Sequence, residues 1–213
     1  MAAPELCGFE GRSVYLECDQ LLLGDIGELF TQDLGEHAMA MVSTTDARNP
    51  SFRRAGRGFL PGVVLFDNAR CRALDLAAVS RAAAEDRLLY DGTVSGGERF
   101  SAFTGLDVGS LPPRFNDMEQ RHDDTVVLHY TRWHHRRWKN TGCESSDVWF
   151  RELAQCIIDG HVTTEMLDQA LALGEISRRC RTSTRLPARA IPVADRFLQR
   201  VEVARQRLLA RRS

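Results

Sequence analysis

GRSVYLECDQLLLGDIGELF, residues 11–30, carries the signal on which the reading of the fold turns. From Arg12 a short apolar run, SVYL, ends in acids, and GVVLFD (62–67) and TVVLHY (125–130) repeat that layout of apolar run and polar end. Continuous apolar runs of this kind suit strands buried on both faces, as in an α/β sheet covered by helices. In open α/β sheets ligands bind beyond the carboxyl ends of the strands, so Glu17, Asp19, Asp67 and His129 stand where a site is expected.

Glu17 and Asp19 are two residues apart, and on a strand that spacing sends both side chains to one side. Two carboxylates so placed can share a hard cation. Magnesium and manganese prefer oxygen ligands, keep several waters and commonly bridge to substrate phosphates. An acid-x-acid pair also fits a solvated strand end, which is a common arrangement. In VVLHYTRWHHRRWKN (126–140) a strand delivers His129 into a loop dense in aromatics, histidines and positive charge. Imidazole is an acceptable manganese ligand, and arginines neutralise phosphate oxygens with paired hydrogen bonds. A satisfied structural histidine, or a surface that stacks on nucleic-acid bases, is open on the same residues.

Around these runs, LLLGDIGELF reads as a turn at Gly24 and a short helix with Asp25 as its N-cap. Residues 31–61 read as irregular. STTDARNPSFRRAGRG (43–58) within them is polar and long, the composition of a binding loop, a lid or a disordered segment. A helix is expected over 74–90 with Asp75 near its start, followed by a turn at VSGGER (94–99). The last third reads as helical. Ser146 caps a segment whose Trp149, Leu153, Cys156 and Ile157 share a face and which closes at Gly160; a second helix runs from Thr163 to Leu173 and a third over 192–210.

The 213 residues, 43% of them apolar, suffice for one core with a helical appendage. No apolar stretch approaches the roughly 20 residues of a membrane helix and the N-terminus lacks a secretory layout, so the expected location is cytoplasmic. The six cysteines form no CxxC pair, which points to reduced, mostly packed thiols. A net charge of -1 argues against a dedicated nucleic-acid binder. It hides an asymmetry, because residues 177–213 hold eleven arginines against two acids. That tail reads as a solvated helix face, with docking on an anionic surface, lipid headgroups or nucleic acid, as the alternative.

Four stretches, in order, resemble glycosyltransferase family 8, the glycogenin-like and lipopolysaccharide galactosyltransferase-like enzymes. PELCGFEGRSVYLECDQLLLGDIGELF (4–30) is similar to the family's strand, DxD motif and following helix. GVVLFDNARCRAL (62–74) and LPPRFN (111–116) resemble its next two motifs, and HYTRWHHRRW (129–138) resembles its phosphate- and metal-binding loop. The resemblance implies an α/β chain with a partial GT-A fold over residues 1–142 and a helical C-terminal region over 143–213. It also implies a bound Mn2+ or Mg2+, a nucleotide-sugar donor (a UDP-sugar first), a saccharide or other hydroxyl acceptor, and retention of anomeric configuration. By position, Glu17, Asp19 and His129 become metal ligands, Arg136 and Lys139 bind the donor diphosphate, and Asn116 shapes the acceptor side; no catalytic group is assigned.

The family's pattern has a nucleotide-binding half ahead of the DxD strand, and here that strand begins close to Met1. The expectation is therefore of the C-terminal portion of such a fold, its first strand left with an open edge that another chain completes. A truncated, non-catalytic partner subunit is the alternative function.

Overall fold

A computed structural model describes residues 2–54, 58–85, 101, 104–131, 138 and 145–177. The turn expected at 94–99, the helix expected over 192–210, the Arg-rich tail, Arg136 and Lys139 lie outside the described residues. The chain divides into two compact units, Met1–His129 and Tyr130–Ser213, a division ahead of the 142/143 boundary expected from the sequence.

In the first unit the three apolar runs are strands β1 (Arg12–Leu16), β4 (Phe59–Asp67) and β7 (Val127–His129). Between them lie β2 (Gln20–Leu22), β3 (Met39–Ser43), β5 (Val108–Leu111) and β6 (Asp117–Met118). They form two sheets, one ordered β1-β4-β3-β5 and the other β2-β7-β6. β1 pairs antiparallel with β4 and β4 antiparallel with β3, whereas β3 and β5 run parallel. Among the described strands β1 is a sheet edge.

β4 is buried on both faces because its alternate residues feed different cores. Val63 and Leu65 join Leu29, Val42, Leu111, Phe115 and Val127 on one side. Val64 and Phe66 join Met39, Met41, Leu74 and Val108 on the other.

The reading of 31–61 as irregular is corrected here, since 39–43 is a buried strand and 59–61 begins β4. Alternating alanine and methionine have weak β propensity, so burial between two neighbours makes this strand. Asn49 then accepts from Ser51 N and opens a 3-10 turn over Pro50–Phe52 within the segment read as a loop or lid. The β3–β4 register slips between Ala40 and Val42, opposite residues 61–64. Pro61 has no N–H to give a ladder there.

Helix α1 (Ala3–Leu6) precedes β1 and helix α2 (Gly27–Phe30) follows β2. Ile26, not the expected Asp25, stands in the N-cap position of α2, and Asp25 takes the Gly27 N–H on its carboxylate at 2.7 Å from one residue further back. Helix α3 (Leu76–Ala84) begins where Asp75 accepts from Ala78 N at 2.7 Å. Of the four described cysteines only Cys71 is buried, its thiol pushed up to about 12 by burial and the nearby Asp67 charge. Cys7 and Cys18 are exposed, so the packing expected of the thiols does not extend to them.

The short parallel connection from β6 to β7 is braced by charge. Arg48 donates from Nη2 to Asp124 Oδ2 at 2.7 Å and holds Nη1 at 3.3 Å from Asp117 Oδ2. Thr125 Oγ1 donates to the same Asp117 oxygen at 2.6 Å. The Asp117 side chain is 1% exposed and that of Asp124 56% exposed. Burial pushes Asp117 above its usual 3.8, against the Thr125 bond and the Arg48 charge. The Arg48 hydrogen bond draws Asp124 down to about 2.

The linkage signs are therefore opposite. Asp124 contributes stability above pH 3.8 that is lost as pH falls towards 2. Asp117 holds its proton longer folded than unfolded, so stability falls as pH rises from 3.8 through its raised value. A carboxyl carbon NMR titration, assigned with Asp117→Asn and Asp124→Asn chains, is expected to show these two neighbours on opposite sides of 3.8; the reverse order would refute the burial argument.

In the second unit helices α4 (Ser146–Ile158) and α5 (Thr164–Ala172) correspond to the two expected there. Ser146 is the first helical residue of α4, and Ser145, with φ 56°, stands in the cap position. The face expected from Trp149 and Leu153 is only partly buried, around buried Phe150 and Ala154. Trp138 adds a ring 6.0 Å from that of Trp149. Both helices end in a left-handed glycine, Gly160 at φ 76° and Gly174 at φ 70°. In each case the next residue's N–H reaches back to the carbonyl five residues earlier, His161 to Cys156 and Glu175 to Ala170. Thr163 caps α5 through Met166 N.

Candidate metal centre

The chain leaves the four-stranded sheet at Leu16 and enters the three-stranded one at Gln20, and Glu17, Cys18 and Asp19 are the link. Glu17 and Asp19 thus sit on a turn, and strand alternation, the reason given for their common direction, is not what aligns them. Glu17 N donates to Gly62 O at 3.1 Å, and Gln20 Nε2 donates to the same oxygen at 2.7 Å. This pins both ends of the turn to β4.

His129 closes β7 opposite Gln20 of β2. Its side chain is 2% exposed, and its Nε2 lies 2.9 Å from Glu17 Oε2 and 3.1 Å from Asp19 Oδ1. The three ligand atoms lie within 4.8 Å of one another, and among the described residues no other such group of histidine, cysteine and acid forms. On the far side of the ring, Nδ1 is 2.9 Å from Asn116 Oδ1. Asn116 Nδ2 donates to Leu60 O at 3.1 Å. Gly62 flanks the ring so closely that a Cβ there would overlap His129 Cε1 and Nδ1.

Burial disfavours charge on His129, but its hydrogen bonds to Asp19 and Glu17 and their negative charge outweigh this and raise the ring above its ordinary 6.5. A proton on Nε2 therefore satisfies the group. So would a cation. Ligand atoms at about 2.1 Å from an octahedral Mg2+ or Mn2+ and at right angles to each other stand about 3.0 Å apart. The two nitrogen–oxygen separations match that spacing. Two carboxylates and one imidazole suit Mn2+ in donor type, and the partial exposure of Glu17 and Asp19, 33% and 18%, leaves a side for water or phosphate.

Asn116, expected on the acceptor side, is 2% exposed and packed behind His129. It meets the site through the imidazole. Asp67, the fourth strand-end residue, lies away from the group. β1 and β4 are antiparallel, so Asp67 pairs with Arg12 at the opposite end of the ladder from Leu16; it forms an ion pair with Arg70 at 3.4 Å. The strand-end rule assumes parallel neighbours and fails at that strand. Gly62 was overlooked as a functional position, although it stands in the quoted GVVLFD run, because the ring it must clear comes from 67 residues further on.

Among solved structures, the glycosyltransferase GlyE of Streptococcus pneumoniae TIGR4 aligns over 66% of this chain and 39% of its own, with a TM-score of 0.50 and 20% identity. The chain shares its fold with a glycosyltransferase. The apo form of GlyE gives 70% and 40% coverage, a TM-score of 0.50 and 22% identity. The galactosyltransferase LgtC, in complex with donor and acceptor sugar analogs, aligns over 62% of this chain and 56% of its own at a TM-score of 0.40 and 20% identity. The chain thus spans about two fifths of the length of GlyE. No protein-family model and no curated protein matches the chain. The α/β class and partial GT-A fold expected from the sequence agree with this likeness. Among the described residues no helix is long and apolar enough to cross a membrane.

Proposed function

We propose that the protein is a family 8-like glycosyltransferase, or the metal-binding portion of one, that engages a nucleotide-sugar donor through a divalent cation. The observation that carries this reading is the meeting of Glu17, Asp19 and His129 around one point, 110 residues apart in sequence for the Asp19–His129 pair, in a fold shared with a glycosyltransferase. In this reading Glu17, Asp19 and His129 hold Mn2+ or Mg2+, which when bound supplies positive charge to the diphosphate of the departing nucleotide. Arg136 and Lys139 contribute the basic groups for the same phosphates, and a UDP-sugar and a hydroxyl acceptor complete the substrate classes.

Calorimetry of nucleoside diphosphate binding, with and without Mn2+, tests the reading. Binding that requires Mn2+ is expected for the natural chain. For the Glu17→Ala/Asp19→Ala chain the affinity is expected to fall by at least about 100-fold, since two of three protein ligands are gone. Undiminished binding by that variant, or none by the natural chain in Mn2+, would sink the proposal.

A further inference from the structure

A metal-ligating histidine must offer a bare nitrogen to the cation, and which nitrogen is bare depends on what the other one is bonded to. At His129 the bond on Nδ1 goes to Asn116, and the orientation of that amide is fixed by chemistry. Leu60 O is a carbonyl and can only accept, so the Asn116 amino group must face it, at 3.1 Å. Asn116 Oδ1 then faces His129 Nδ1 at 2.9 Å, and this oxygen too can only accept. Nδ1 must therefore carry the hydrogen. The neutral ring is left with its lone pair on Nε2, directed at the space between Glu17 and Asp19.

This outcome runs against the local electrostatics. Two carboxylates on Nε2 would draw the hydrogen of a neutral ring to that side, where it would block the metal position. Several features oppose the swap. Asn116 is 2% exposed and His129 1% exposed, so water is a poor substitute partner for Nδ1. The ring cannot turn over freely, because the Gly62 backbone lies close against its edge. The Leu60 carbonyl holds the amide in this orientation at 3.1 Å.

We infer that Asn116 is a positioning residue that locks His129 in the Nδ1–H tautomer and so reserves Nε2 for a divalent cation. The inference rests on the metal reading above for its purpose, though the tautomer itself does not depend on it.

Long-range nitrogen–proton NMR of histidine-labelled, metal-free protein, with His129 assigned by a His129→Gln chain and the ring neutral, reads the tautomer directly. The natural chain is expected to show Nδ1–H. Asn116→Leu, which has no acceptor, is expected to move the ring to Nε2–H and to weaken Mn2+ binding by roughly 10–100-fold. Asn116→Asp keeps an acceptor and is expected to retain Nδ1–H, which also covers the case in which the leucine chain does not fold. An Nε2–H ring in the natural chain, or an Nδ1–H ring with unchanged Mn2+ affinity in Asn116→Leu, would overturn the inference. Nδ1–H in the natural chain, lost in Asn116→Leu, in a protein that binds no Mn2+ would uphold the lock and overturn the metal function instead.

Discussion

A Gly62→Ala chain is expected to lose about 3 kcal/mol of stability, the upper part of the usual overpacking range, and its affinity for Mn2+ with it. For a chain of this size that corresponds to a fall in Tm of roughly 6–12 °C. Gly62 does not occupy the left-handed region, so alanine suits the backbone and the added methyl is the whole perturbation. That methyl would overlap His129 Cε1 and Nδ1 and stand 2.9 Å from Gln20 Nε2. The imidazole cannot give way without breaking its bond to Asn116 or those to Glu17 and Asp19. Gly109→Ala is the matched control. Its methyl meets His37, whose side chain is 40% exposed and held at 3.1 Å by Asp107, itself 56% exposed, so a smaller loss and no effect on Mn2+ are expected. Thermal unfolding and Mn2+ calorimetry on the two chains decide the matter; equal effects at both glycines would remove the argument for a ring held fast at the site.

The second large effect is expected at Arg48. Arg48→Met keeps much of the side-chain volume and removes the charge, leaving the buried Asp117 carboxylate with Thr125 and, 3.9 Å away, the His122 ring. Breaking one partner out of a buried pair costs about 3–5 kcal/mol, and the low end applies because the Arg48 side chain is itself 24% exposed. Adding Asp117→Asn should recover part of the loss, since an amide can still accept from Thr125 and carries no charge to strand. Urea unfolding of both single chains and the double chain measures the coupling, expected at about 1 kcal/mol or more. The deficit of Arg48→Met should also shrink in acid, as Asp117 takes up its proton. Simple additivity of the two substitutions would show that Arg48 serves the exposed Asp124 and little else.

Much of this molecule is legible in its sequence where the physics is local. The runs at 12–16, 62–67 and 127–129 announce strands through unbroken apolar character, and Asp75, Thr163, Gly160 and Gly174 mark helix ends through groups within a few residues. Pairing direction is not local. Nothing in GVVLFD shows that its neighbours run antiparallel to it, so Asp67 is misplaced by the strand-end rule while Glu17, Asp19 and His129 converge. β3 is hidden because Met39–Val42 owes its conformation to the strands on either side. Asn116 is visible as a residue of interest, yet its partner depends on what packs behind a ring 13 residues away.

The position of Glu17–Asp19 on the crossing from one sheet to the other has a mechanical consequence. Gly62 on the central strand of the larger sheet takes hydrogen bonds from both ends of that crossing, and His129 is anchored in the smaller sheet. An ion gripped by the turn and the imidazole would rivet the two sheets together, and sliding of one past the other would loosen the rivet. With a cation there, occupancy of the centre and cohesion of the first unit would be linked, and a partner or substitution that stiffened the seam would act on the ion without touching it.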